Sequence, residues 1–185
     1  MIDVNLAADI PAKHADTLVA GIGNIFLGDD GFGCAVAREL AGMSLPVGTK
    51  VVDYGIRGLD LAYALLDPYE TVIFVDAISR GEAPGTIYLL QPVRPGEDGE
   101  AALDPHSMDP VHLMAMARSL GEIRAEILIV GCEPLDFGDE IEGRMELSPA
   151  VAAAVPEAAR MVLELIQRGR SGARVEAREP ALASP

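Results

Sequence analysis

Residues 17–33 read Thr17-Leu18-Val19-Ala20-Gly21-Ile22-Gly23-Asn24-Ile25-Phe26-Leu27-Gly28-Asp29-Asp30-Gly31-Phe32-Gly33. Thr17 to Ile22 is a short apolar run that closes in Gly21-Ile22-Gly23, the pattern of a buried strand meeting a glycine turn. From Asp30 to Met43 the period turns helical: Phe32, Val36 and Leu40 recur every four positions and share a face. A strand, a glycine-rich turn and a helix in direct succession open an α/β alternation.

The alternation continues outward from this stretch. Lys50 to Tyr54 reads as a second strand closed by Gly55, and Leu59 to Leu66 as a short helix ended by Asp67-Pro68. Thr71 to Val75 is a central strand ending at Asp76, since five β-branched and aromatic residues suit a strand buried on both faces. Ala83-Pro84-Gly85 is a turn before a strand at Thr86 to Leu90, and residues 92–105, rich in Pro, Gly and acids, read as a surface loop. Asp109-Pro110 opens a helix as N-cap and first residue, with Leu113, Met116, Ala117 and Leu120 along one face and Gly121 at its end. Ile127 to Val130 is a strand followed by Gly131-Cys132-Glu133-Pro134. Ser148-Pro149 caps a last helix with an inner stripe of Val151, Val155, Ala159, Val162 and Ile166. Pro156 should bend it or remove one bond, and Gly169 should end it. The class is α/β, with a mostly parallel sheet and helices on both faces. We expect one domain over 17–169, a leader at 1–16 and a loose tail at 170–185.

The chain has 185 residues, which favours one domain, and half of them are hydrophobic, which excludes global disorder. It can bury roughly 70% of its unfolded surface and needs no disulfides. Its net charge of −15 argues against a nucleic-acid groove or an anionic membrane surface as partner, and favours metal ions, cationic peptides or other proteins. Cys34 and Cys132 make neither a disulfide framework nor a Cys-x-x-Cys site, and read as reduced, packed thiols. The acidic N-terminus has no basic region followed by an apolar one, so we expect a cytoplasmic protein.

A parallel sheet places the C-terminal ends of its strands on one edge, where ligands bind. That rule gathers the glycine loop with Asp29 and Asp30, then Asp53, Gly55 and Arg57, then Asp76 and Glu133, with His106 added by the loop before the Asp109 helix. Carboxylates and an imidazole around one crevice suit a divalent metal. The plainer alternative is a set of solvated loop acids. A dinucleotide site is a rival reading: Gly21-x-Gly23 is present and Asp53 fits the ribose acid. Phe26, however, stands where the third glycine should allow close packing, and Asp29-Asp30 would repel a pyrophosphate. No Gly-Lys-Ser/Thr follows, so a Walker loop fails. There is no Gly-x-Ser-x-Gly elbow and no His-Glu-x-x-His helix. His112 and His106 are six positions apart and do not share a helical face. His112 reads as a half-buried helix residue, His14 as solvated.

In order and spacing, several motifs resemble the hydrogenase maturation endopeptidases, which trim the C-terminus of the nickel-iron hydrogenase large subunit. They are Gly21-Ile22-Gly23-Asn24, Gly28-Asp29-Asp30-Gly31-Phe32-Gly33, Asp53-Tyr54-Gly55, Val75-Asp76-Ala77, Ala83-Pro84-Gly85-Thr86, the segment 104–110 around His106, Val130-Gly131-Cys132-Glu133-Pro134 and Leu147-Ser148-Pro149. The likeness spans about residues 17–168. It implies a three-layer α/β/α sandwich with a twisted five-stranded sheet, and metal-binding and catalytic roles for Asp30, Asp76 and His106. Asp30 is one methylene shorter than the glutamate that is frequent there. Asp53, Gly55 and Arg57 would line the wall that meets substrate. The resemblance also implies an aspartic-type or metal-assisted endopeptidase. It further implies the large-subunit precursor as partner and nickel presented by that substrate, with other divalent metals able to occupy such a site. The alternatives are a non-catalytic nickel checkpoint chaperone and a nucleotide-binding enzyme.

Overall fold

The computed structural model describes residues 16–92, 110–138 and 143–170. His106 and His14 fall outside these residues, as do nearly all of the expected leader and tail and most of the 92–105 loop.

The order of elements is β1 (Thr17–Ile22), a 3-10 turn (Gly28–Gly31), α1 (Phe32–Ala41), β2 (Thr49–Gly55), α2 (Gly58–Ala64), β3 (Thr71–Ala77), β4 (Ile87–Leu90), α3 (Pro110–Leu120), β5 (Glu126–Cys132) and α4 (Pro149–Arg170). The strands form one five-stranded sheet in the order β2-β1-β3-β5-β4, parallel except for β4, which runs against β5. β1 and β3 lie inside the sheet, covered on both faces, so nearly every one of their residues is buried and they read as unbroken apolar runs rather than alternating ones. One core lies between the sheet and α1 with α4, around Phe32, Val36, Leu40, Val75, Val130, Val162 and Ile166. The other lies beneath α2 and α3, around Leu61, Leu65, Phe74, Leu113 and Met114. Helices thus cover both faces, the expected α/β/α sandwich.

Close approach of α1 to the sheet depends on two glycines. A Cβ at Gly33 would overlap the carbonyl oxygens of Val75 and Ile22 and stand 2.7 Å from the Ile22 nitrogen. A Cβ at Gly21 would overlap the Gly33 carbonyl and come within 2.8 Å of the Ala37 Cβ. The close packing that a dinucleotide-type glycine at position 26 would give is supplied by Gly33, and Phe26 points outward, 57% exposed.

Several local expectations need correction. The helix expected from Asp30 begins as a 3-10 turn, and regular α-helix starts at Phe32. In α3 the inward stripe is Pro110, Leu113, Met114 and Ala117, while Met116 and Leu120 are 41% and 44% exposed. Both this stripe and the expected one follow the spacing i, i+3, i+4, i+7, displaced by three residues, and packing against α2 selects between them. Helix α4 continues past Gly169 to Arg170, and Pro156 sits in its interior on the exposed face. There the carbonyl that Pro156 leaves without a helical donor, that of exposed Ala152, is open to water, so the helix tolerates the lost bond. Ser148 precedes α4 as expected, but its Oγ is buried without a partner. Asp29 binds its backbone N–H instead.

Candidate functional site

From β1 the chain crosses to β2 on one side, and β3 lies on the other. The C-terminal ends of β1 and β3 therefore flank a topological switch point, where an open α/β sheet leaves a crevice. Gly23 (φ +124°) begins the loop there. A Cβ at Gly23 would overlap the Asp30 carbonyl oxygen and stand 2.9 Å from its carbon, so only glycine lets the loop fold back onto the strand. Folding back brings the Asn24 N–H to the Asp30 carboxylate, 2.6 Å away. Burial raises the Asp30 pKa, and the Asn24 bond offsets this only in part.

Asp76 arrives from the other side of the crevice. Gly21 pairs with Val75, so Asp76 is the next residue beyond that pair, at the end of a strand against which the 3-10 turn packs. It is buried, and its Oδ1 accepts the Ala77 N–H at 2.9 Å. The fold thus places Asp30, in the 3-10 turn after β1, and Asp76, near the end of β3, at the same edge of the sheet. Among the described residues no cluster of three or more His, Cys, Asp or Glu side chains could hold a metal ion. Two hard carboxylates are a fitting part of a divalent site, and His106, expected as a further ligand, lies outside the described residues.

Asp53, Gly55 and Arg57, expected to line the wall that meets substrate, lie at the end of β2 beside β1. The Gly23 N–H donates to the Gly55 carbonyl at 3.2 Å, tying the glycine loop to the end of β2. Arg57 folds over its own turn: it donates to the carbonyls of Asp53 and Tyr54, and its guanidinium lies 5.7 Å from the Tyr54 ring centroid. These contacts make the segment a well-formed strand-end turn, with the Asp53 side chain exposed at its rim.

Both thiols are buried, as expected. Burial, with the Asp53 and Asp30 carboxylates nearby, pushes the Cys34 thiol up to about 12. Burial, with Asp29 and Glu133 nearby, does the same to Cys132. Thiols held that far above their ordinary pKa disfavour nucleophilic attack by sulfur. We expect Cys34→Ala and Cys132→Ala to retain processing activity within about twofold, with each costing roughly 1 kcal/mol in a denaturant melt through lost packing. A folded Cys132→Ala protein without activity would contradict this.

Glu133, grouped with the crevice acids by sequence, has another role. It is buried and accepts bonds from Ser79 Oγ at 3.2 Å, the Arg80 N–H at 2.7 Å, the Gly81 N–H at 3.1 Å and the Tyr88 hydroxyl. Burial acts to raise its pKa, but the Tyr88 hydroxyl and the loop N–H groups outweigh burial and hold it below the ordinary value. The carboxylate therefore pins the loop that leaves β3 after Asp76. With its folded pKa depressed, Glu133 contributes stability in full above the unfolded value near 4.5, and loses it as pH falls through the folded value. We expect Glu133→Gln to cost about 1–3 kcal/mol in urea melts at pH 7 and progressively less below pH 4.5. A cost independent of pH would show that the charge is not what the loop uses.

Similarity to known proteins bears on the fold and the family. The family model HycI, hydrogenase maturation protease, matches residues 34–165, a span that includes Asp76 and His106 and begins four residues after Asp30. The chain is 31% identical over 145 residues to the hydrogenase expression/formation protein HupD of Rhodobacter capsulatus, covering 77% of this chain and 67% of that one. Its fold is similar to the hydrogenase 2 maturation peptidase of a Thaumarchaeota archaeon, with a TM-score of 0.60, 30% identity and coverage of 82% and 97%. It is also similar to the hydrogenase maturating endopeptidase HybD of Escherichia coli, with a TM-score of 0.66, 26% identity and coverage of 88% and 97%.

Proposed function

Because this chain belongs to the hydrogenase maturation protease family and is a peptidase, we propose that it removes a C-terminal extension from a nickel-iron hydrogenase large-subunit precursor once nickel has been inserted. The observation that carries this reading is the pair of carboxylates, Asp30 from the turn after β1 and Asp76 from the end of β3, at one switch-point edge of the sheet where the Cys34 thiol is buried and held well above its ordinary pKa. Lacking a competent sulfur nucleophile, such a site is suited to aspartic-type or metal-assisted hydrolysis. His106 is the third member of the proposed set. Asp53, Gly55 and Arg57 form the adjoining wall toward substrate.

In this reading nickel belongs to the substrate. An oxygen-rich site with no soft thiolate holds free nickel weakly and engages it best when another protein presents it. Cleavage then waits for nickel insertion. No helix among the described residues is long and apolar enough to cross a membrane, and action in the cytoplasm is part of this proposal.

The test is to mix the purified chain with nickel-loaded or nickel-free precursor and follow the mass of the precursor's C-terminus. We expect nickel-loaded precursor to be cut about 100-fold faster, equivalent to about 2.7 kcal/mol of transition-state binding. Equal rates would remove nickel as the recognition signal. Binding without cleavage of either form would instead favour a checkpoint chaperone.

A further inference from the structure

The 3-10 turn carries two adjacent acids, Asp29 buried and Asp30 half-buried. At three residues per turn, successive side chains diverge by about 120°, so only one of them can face the crevice. Asp29 is the inward one, 0% exposed. Its Oδ1 accepts the Ser148 N–H at 2.6 Å, and its Oδ2 accepts the Leu135 N–H at 2.8 Å and the Asp136 N–H at 3.4 Å. These donors lie 106 to 119 positions away in sequence, at the exit of β5 and the start of α4. Bonds to a charged acceptor are the stronger kind, and a carboxylate at the N-terminus of a 22-residue helix also meets a favourable dipole. The backbone adds two further ties: Gly28 N–H to the Arg144 carbonyl at 2.6 Å, and Arg144 N–H to the Phe26 carbonyl at 2.9 Å.

We propose that Asp29 is the positioning residue of this site: by binding the Leu135, Asp136 and Ser148 amides it sets the rotation of the Gly28–Gly31 turn and so aims the Asp30 carboxylate into the crevice beside Asp76. The proposal rests on the reading of Asp30 as a site residue. Asp29 touches no substrate and acts only through its neighbour. Replacing it with asparagine turns one acceptor into a donor facing an N–H, which frees the turn to rotate while conserving volume.

The experiment compares wild type with Asp29→Asn by two readouts. One is kcat and KM on nickel-loaded precursor. The other is amide hydrogen exchange at Asn24, whose N–H is held by Asp30 itself. We expect kcat to fall at least 10-fold with KM within twofold, and Asn24 to exchange at least 10-fold faster, while the amides of β1 and β3 exchange as in wild type. Unchanged Asn24 protection together with unchanged kcat would overturn the proposal, as would a uniform rise in exchange across the sheet, which marks a purely structural role. If Asp29→Asn does not fold, Asp29→Glu serves instead: it keeps the charge but moves the carboxylate by one methylene against the Leu135, Asp136 and Ser148 amides. Both readouts should then move about threefold in the same directions, and no movement in either would overturn the proposal. A wild-type protein that cuts no precursor would overturn the functional reading, and the Asn24 comparison would still decide the positioning claim.

Discussion

Asp76→Asn is expected to lower kcat/KM for precursor processing by about 10²–10⁴-fold, the range associated with loss of a positioned acid or base, while the protein stays folded. The amide is isosteric, and its oxygen can keep accepting the Ala77 N–H that Asp76 Oδ1 holds at 2.9 Å. What disappears is the negative charge at the end of β3. Burial makes that charge matter, because a carboxylate withdrawn from water interacts more strongly with a cation brought to it. The check is a cleavage time course beside a thermal melt, with Tm expected within a few degrees of wild type. If Asp30 and Asp76 act as one unit, Asp30→Asn combined with Asp76→Asn should be little worse than either alone. Processing within threefold of wild type in a folded Asp76→Asn protein would remove Asp76 from the mechanism.

Gly33→Ala should have the largest effect on stability. The added methyl has no open space: it meets the carbonyl oxygens of Val75 and Ile22 and the Ile22 nitrogen, all of them backbone atoms of two central strands. Flexible side chains can rotate away from such a group, but paired strand backbone cannot. Helix α1 would have to lift from the sheet, opening the core around Phe32, Val36 and Leu40. Overpacking ordinarily costs 1–3 kcal/mol, and a clash with fixed backbone lies at or beyond the upper end, about 4 kcal/mol. For a domain of this size that is a Tm decrease of roughly 8–16 °C. Because the same contact seats the turn bearing Asp30, precursor cleavage should fall with it. A melt within 3 °C of wild type would show that the helix can shift without cost.

The strand boundaries and the layer order were legible because burial on both faces leaves a plain signature. β1 was located at Thr17 to Ile22 and β3 from Thr71 onward by apolar runs that end at a glycine or an acid. The edge carrying Asp30, Asp76 and the Asp53-to-Arg57 wall followed from parallel topology, which needs only the order of strands and helices. Periodicity alone also located α1 and α4, whose apolar stripes are long enough to have one solution.

Tertiary structure decided which member of each ambiguous set faces inward. Two stripes of equal period compete on α3, and contact with α2 chose the one through Met114 rather than Met116. Asp29 and Asp30 are chemically identical neighbours, and Glu133 reads as one more crevice acid. Burial of Asp29 and Glu133 depends on N–H and O–H donors that arrive from residues 45 to 119 positions away. Short-range pattern determines where a carboxylate enters the fold. Whether it stays at the sheet edge or is buried holding a loop depends on distant donors, which reach it only when the sheet is assembled.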